Sequence, residues 1–220
     1  MYRQLSALLT LFALSFDTAY AGEQQYEPLS ASVAALMHRS VTDTASPRFA
    51  FDDEMDAAVW LADMSTRLRK YIPDEAERHE FLVTVHYEAT RAGLDPQLVL
   101  AVVHVESAFR RYAISKAGAQ GYMQVMPFWV KLIGNQDSHN LFDSRTNLRY
   151  GCVILRHYLD IEQGNLFRAL GRYNGSLGKA RYPNLVRRKW HGKWAYASEE
   201  ASLRPVSGQP SRKPSRRHEF

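Results

Sequence analysis

The chain has 220 residues, a formal net charge of +5 and 45% hydrophobic residues; this suffices for one domain with a substantial core and an extension at each end, and excludes a wholly disordered chain. A single cysteine, Cys152, excludes an intramolecular disulfide and a cysteine-rich metal site. The charge does not describe a nucleic-acid face: Arg204, Arg212, Lys213, Arg216 and Arg217 against Glu219 place +4 of it in the last stretch, leaving about +1 for the rest.

In chain order, residues 1–21 read as an export signal. Arg3 supplies the positive start, Leu5 to Phe16 the apolar run, and Ala19-Tyr20-Ala21 the small residues of a cleavage site before Gly22. The run is short for a membrane span, and no later stretch resembles one. Residues 22–50 have little sustained periodicity and read as a partly ordered leader. From 51 to 197 helical signals dominate. The first helix is expected over Asp52–Tyr71, with Met55, Val59, Ala62 and Leu68 near one face. The next is expected over Ala76–Ala92, ended by Gly93. Asp95-Pro96 opens a third that runs to about Phe109. Ser115–Gly121 is a loop. Further helices are expected over Phe128–Ile133, Arg145–Glu162 (capped by Asp143 or Ser144) and Leu166–Tyr173. No alternating run calls for a sheet, so the fold class is mainly α. Residues 198–220, rich in Pro, Ser and Arg, read as a disordered basic tail.

Glu106 is the position with chemical promise. On a helix, Val99, Val102 and Val103 precede it by seven, four and three residues and Phe109 follows by three, so it shares an apolar stripe. A carboxyl group there is costly to ionise and keeps its proton near neutral pH, as a general acid requires. Periodicity alone equally allows a Glu turned outward or paired with Arg110 or Arg111. Cys152, in an apolar run, reads as a small core residue. Histidines 86, 104, 139, 157 and 191 show no metal spacing, and no Ser-His-Asp context appears. Trp129, Trp190, Trp194, Tyr182 and Tyr196 read as packing before sugar stacking.

Three segments go further: Glu106-Ser107-Ala108-Phe109; Ala113 through Ser115, Gly118, Gly121, Met123 and Gln124 to Pro127; and Tyr173-Asn174-Gly175. Leu141-Phe142-Asp143 with Asn147 and Gly151 lies between the last two. Together they resemble the motifs of the soluble lytic transglycosylases, over about Leu94 to Tyr182. The resemblance implies a lysozyme-like (goose-type lysozyme) single catalytic domain over 51–197, with no metal or organic cofactor. It implies that Glu106 is the catalytic acid and base, and that Ser115, Gly121, Met123, Gln124, Tyr173 and Asn174 bind substrate, with Tyr173 orienting the acid. The implied partners are peptidoglycan glycan strands; the charge of the basic tail points to loose association with an anionic wall or membrane surface, and the export signal to the periplasm or beyond. The implied reaction is non-hydrolytic cleavage to 1,6-anhydromuramoyl ends. A hydrolytic muramidase and a non-catalytic wall-binding module are the alternatives. Two positions depart from the pattern: Tyr122 stands where the family has Leu, and Arg172 where it has Ala. Both bear on subsite preference.

Overall fold

The structure is a computed structural model describing residues 24, 26–51, 53–134 and 141–196. The expected signal, Asp52, His139 and the expected tail lie outside the described residues. Among the described residues eight helices follow one another: α1 (Ala31–Thr42), α2 (Glu54–Leu68), α3 (Glu75–Arg91), α4 (Pro96–Glu106), α5 (Phe128–Ile133), α6 (Ser144–Ile161), α7 (Leu166–Tyr173) and α8 (Arg181–His191). Among the described residues β pairing is limited to two isolated bridges, Ile114 with Gln120 and Gln120 with Val125. The mainly α class is as expected.

Six helices begin where a short polar side chain accepts a hydrogen bond from a first-turn N–H: Ser30, Asp53, Asp74, Asp95, Asp143 and Asn165. Each cap is worth about 1 kcal/mol. Pro96 opens α4 at little cost, because its missing N–H would be unpaired there anyway. The residues from Leu98 to Val103 are all buried, which makes α4 the central helix. Helices α3 and α8 pack on α4, and α6 packs on α3 and α7.

Of the face expected for α2, Leu68 is buried as expected, while Met55, Val59 and Ala62 are exposed. Met55 and Val59 are 69% and 51% exposed, whereas Trp60, Met64 and Leu68 are buried. These three recur every four residues and form one stripe. Trp60, with the largest apolar surface, sets it by packing against the rings of Phe49, Phe51 and His86.

The leader contains α1, which the interrupted periodicity did not signal. Met37 and Val41 are buried, and α1 packs on α5 and α6. Its C-terminal end is tied down through the buried Glu88 carboxylate. Glu88 accepts hydrogen bonds from Arg149 Nε and Nη2 at 3.0 and 2.9 Å and from Arg91 Nη2 at 3.0 Å. Arg91 also donates to the Ser40 carbonyl at 2.7 Å, and Arg149 to the carbonyls of Val41 and Asp43.

Candidate functional site

Helix α4 ends at Glu106 rather than near Phe109, because Ala108 (φ 50°) and Phe109 (φ 62°) adopt left-handed backbone. Non-glycine residues pay roughly 1 kcal/mol or more for that conformation, and it persists only where the surroundings impose it. Gln124, in the second motif, is left-handed too at φ 51°. The turn leaves Glu106 as the last helical residue, with Val99, Val102, Val103 and Phe109 all buried.

The Glu106 side chain is 2% exposed. Tyr182 Oη donates to its Oε1 at 2.5 Å, while Oε2 is buried without a partner. Burial pushes the carboxyl pKa up to about 8, and the Tyr182 hydrogen bond pulls the other way. The two arginines next in sequence are engaged elsewhere. Arg110 Nε donates to the Ser107 carbonyl at 3.0 Å and Arg111 Nε to the Phe142 carbonyl at 2.9 Å. The other acids near the motifs are also engaged: Asp143 caps α6 through Thr146 N, Asp160 pairs with Arg156, and Glu162 pairs with Arg168 and Arg172. With Oε1 taken by a donor, Oε2 is the oxygen that carries the proton. The arrangement suits a carboxylic acid held neutral at pH 7 and able to give up one proton.

The second motif is held by side chains that face inward. Ser115 Oγ accepts from Ala119 N at 3.0 Å and braces its own turn. Gln124 is 3% exposed, and its Nε2 donates to the carbonyls of Ala113 and Gly121 at 3.1 and 2.9 Å. Met123 is fully buried and lies against Gly151, where an added Cβ would stand 2.3 Å from its sulfur. A Cβ on Gly121 (φ 74°) would stand 2.3 Å from Asn147 Nδ2 and 2.4 Å from the Leu141 carbonyl; the glycine answers to packing against α6 as well as to its backbone. Asn147 is the hub of this loop. Its Oδ1 accepts from Met123 N at 2.7 Å, and its Nδ2 donates to the carbonyls of Gln120 and Leu141, both at 2.8 Å.

Tyr173 and Asn174 end α7 and are buried. Tyr173 is the residue expected to orient the acid. Its hydroxyl donates to the Met123 carbonyl at 2.7 Å, and its single proton is spent there. Burial and the nearby Glu106 raise its pKa well above the usual tyrosine value. The hydroxyl on Glu106 comes instead from Tyr182, on the buried face of α8 beside Pro183 and Val186. The sequence marked Tyr182 only as one aromatic among several; a contact spanning 76 positions leaves no local signal.

Both departures from the motif pattern turn out to serve this chain's own packing. Tyr122 is 1% exposed, with its ring 4.8 Å from that of Phe81. It lines a cavity with Glu77, Arg111 and Ser144, and Glu106 is not part of that lining. Arg172 binds Glu162 and, at 2.8 Å, Glu27. The aromatic candidates are packing residues in the main: Trp129, Trp194 and Tyr182 are buried, and Trp190 Nε1 donates to Asp95 at 2.9 Å. His104 accepts and donates between Tyr71 and Trp194. Cys152 is buried.

Comparison with known proteins bears on this site. A transglycosylase from Enterobacteria phage PRD1 is 31% identical over 136 residues, covering 57% of this chain and 50% of that protein. Membrane-bound lytic murein transglycosylase C of Yersinia pestis (strain Pestoides F) is 31% identical over 124 residues, covering 49% of this chain and 35% of that protein. The chain therefore spans half or less of the length of these relatives. Among solved structures, an inactive mutant of the lytic transglycosylase Slt from Pseudomonas aeruginosa aligns at 23% identity with a TM-score of 0.42, over 56% of this chain and 22% of that one. The model of the Transglycosylase SLT domain matches residues 84–195, about half of the chain and all three motifs. The chain belongs to the transglycosylase SLT domain family.

Proposed function

We propose that this chain is a peptidoglycan lytic transglycosylase that cleaves the β-1,4 bond between N-acetylmuramoyl and N-acetylglucosaminyl residues without consuming water. The observation that carries this reading is the deeply buried Glu106, whose pKa burial raises to about 8, with one tyrosine donor and no second carboxylate beside it among the described residues. Ordinary glycosidases need two carboxyl groups, whereas one suffices if the substrate supplies its own nucleophile. Protonated Glu106 gives its proton to the glycosidic oxygen as the bond to the anomeric carbon breaks. The resulting carboxylate, stabilised by Tyr182, takes the proton of the muramoyl C6 hydroxyl while that oxygen bonds to the anomeric carbon. Glu106 ends protonated as it began, and the product end is a 1,6-anhydro sugar. The substrate's 2-acetamido group assists the positively charged centre.

Within this reading Ser115, Gly121, Met123, Gln124, Tyr173 and Asn174 shape the substrate side. Ser115 Oγ and Gln124 Nε2 are engaged within the loop, so the backbone they hold in place is the main contact of that loop to the glycan. The names of the relatives, murein transglycosylases among them, agree with peptidoglycan as substrate. Export through the signal at 1–21 to the periplasm, with cleavage before Gly22, belongs to the same proposal. So does loose association of the tail at 198–220 with anionic wall or membrane.

The test is digestion of purified sacculi by wild type and Glu106→Gln, with mass spectrometry of the soluble products. Anhydro ends from wild type, with release at least about a hundredfold lower in the variant, are expected. Reducing ends indicate a hydrolytic muramidase, and no release by either protein indicates a wall-binding module.

A further inference from the structure

The leader reaches the site. Gln24 is 4% exposed, and its Oε1 accepts a hydrogen bond from Met126 N at 3.3 Å, at the end of the second motif. Tyr26 meets Phe128 edge-on, with ring centroids 5.8 Å apart. Glu27 Oε1 accepts from Arg172 Nη1 at 2.8 Å, one residue before Tyr173. Three anchors thus run from the second motif to the third, the two segments that the Tyr173 hydroxyl joins at the Met123 carbonyl, with Glu106 near Tyr173. The Gln24 amide also lies close enough to the Tyr173 hydroxyl to oppose the rise in its pKa, although Gln24 Nε2 makes no hydrogen bond.

From these contacts we infer that the stretch carrying Gln24, Tyr26 and Glu27 is an intramolecular strap, lying where a glycan strand must enter and displaced when substrate binds. The inference rests on the proposed function for the identity of the displacing ligand. Arg172 is the most telling residue. It replaces the alanine of the family pattern, and its guanidinium is already fixed by Glu162 when it meets Glu27. A substitution in a substrate motif is here accounted for by a contact within the chain. Glu106 is 2% exposed with Oε2 buried, so an incoming sugar oxygen reaches the acid only after part of the chain moves. The strap is also held weakly enough to leave. The Glu27 and Arg172 side chains are 41% and 22% exposed, so their pairing is screened by salt.

The experiment compares the full chain with Glu27→Gln and Gln24→Ala, after thermal melts establish that both variants fold. Three readouts are taken: the initial rate of muropeptide release from sacculi at low substrate, the Kd for chitotetraose measured by calorimetry in a Glu106→Gln background, and amide hydrogen exchange over residues 26–30 with and without chitotetraose. The strap predicts rates and affinities about two- to fivefold higher in the variants, the scale of an exposed ion pair, and faster exchange over residues 26–30 when chitotetraose binds wild type. Unchanged or lower affinity in both variants, or exchange that slows with ligand, overturns it. The two readings fail separately. If Glu106→Gln digests sacculi as well as wild type, the catalytic proposal falls, while affinity and exchange still decide the strap.

Discussion

At the scale of single residues, the behaviour of the site follows from one carboxyl group kept out of water. Because burial raises the Glu106 pKa to about 8, activity should hold from mildly acidic pH to neutrality and fall as pH rises through about 8. Tyr182→Phe removes a donor that favours the ionised form, so the alkaline limb of the pH–rate profile should move upward. Turnover should fall about tenfold, the worth of one hydrogen bond to a charged group. A downward shift of that limb would show that the tyrosine does not act on this carboxyl. The same burial has a cost to stability. The folded pKa lies above the unfolded value of 4.5, so the folded form favours the proton, and stability is lost as pH rises from about 4.5 to about 8 and is flat above. Glu106→Gln should therefore match wild type near pH 4 and exceed it increasingly toward pH 8, by at most about 1.4 kcal/mol per pH unit. Thermal melts of both proteins across that range measure the difference.

At the scale of elements, the site is a loop stapled to a helix. Asn147 on α6 makes three hydrogen bonds to the backbone of the Gln120–Leu141 region, and the capping Asp143 sets where α6 begins. Asn147→Ala strands one N–H and two carbonyls in the interior. It should destabilise the protein by about 3 kcal/mol or more, read as a lower urea midpoint. Because the same loop carries Gln124 and the Tyr173 acceptor, the variant should lose activity even at temperatures where it stays folded. Helix α8 has the complementary task. Its inner face presents Tyr182 and Val186 to α4, while Arg187 and Arg188 on its outer face are exposed.

Across the whole molecule, the leader and the helical body act as one unit through Glu88. Its carboxylate, with no side-chain exposure, is gripped by Arg91 and Arg149, which in turn hold the end of α1. Removing one member of a buried ionic cluster leaves the other charges uncompensated and typically costs about 3–5 kcal/mol. Glu88→Ala should lower stability by that amount in denaturant titrations, and limited proteolysis should then cut first between α1 and α2. The consequence reaches the site because α1 packs on α5, whose Phe128 meets Tyr26 of the strap.

Sequence alone determined six of the eight described helices, α2 to α7, and which carboxyl group sits on an apolar stripe. Caps such as Asp95 and Asp143 act within one turn, and the spacing of Val99, Val102 and Val103 from Glu106 repeats with the helix itself. Only the tertiary structure decided which hydroxyl reaches Glu106, that Trp60 rather than Met55 faces inward, that Arg172 serves the leader, and that an unpatterned leader contains a packed helix. Those outcomes depend on which elements meet across tens of residues. Periodicity reports that a helix has an apolar side, and the assembled core chooses the neighbour that covers it.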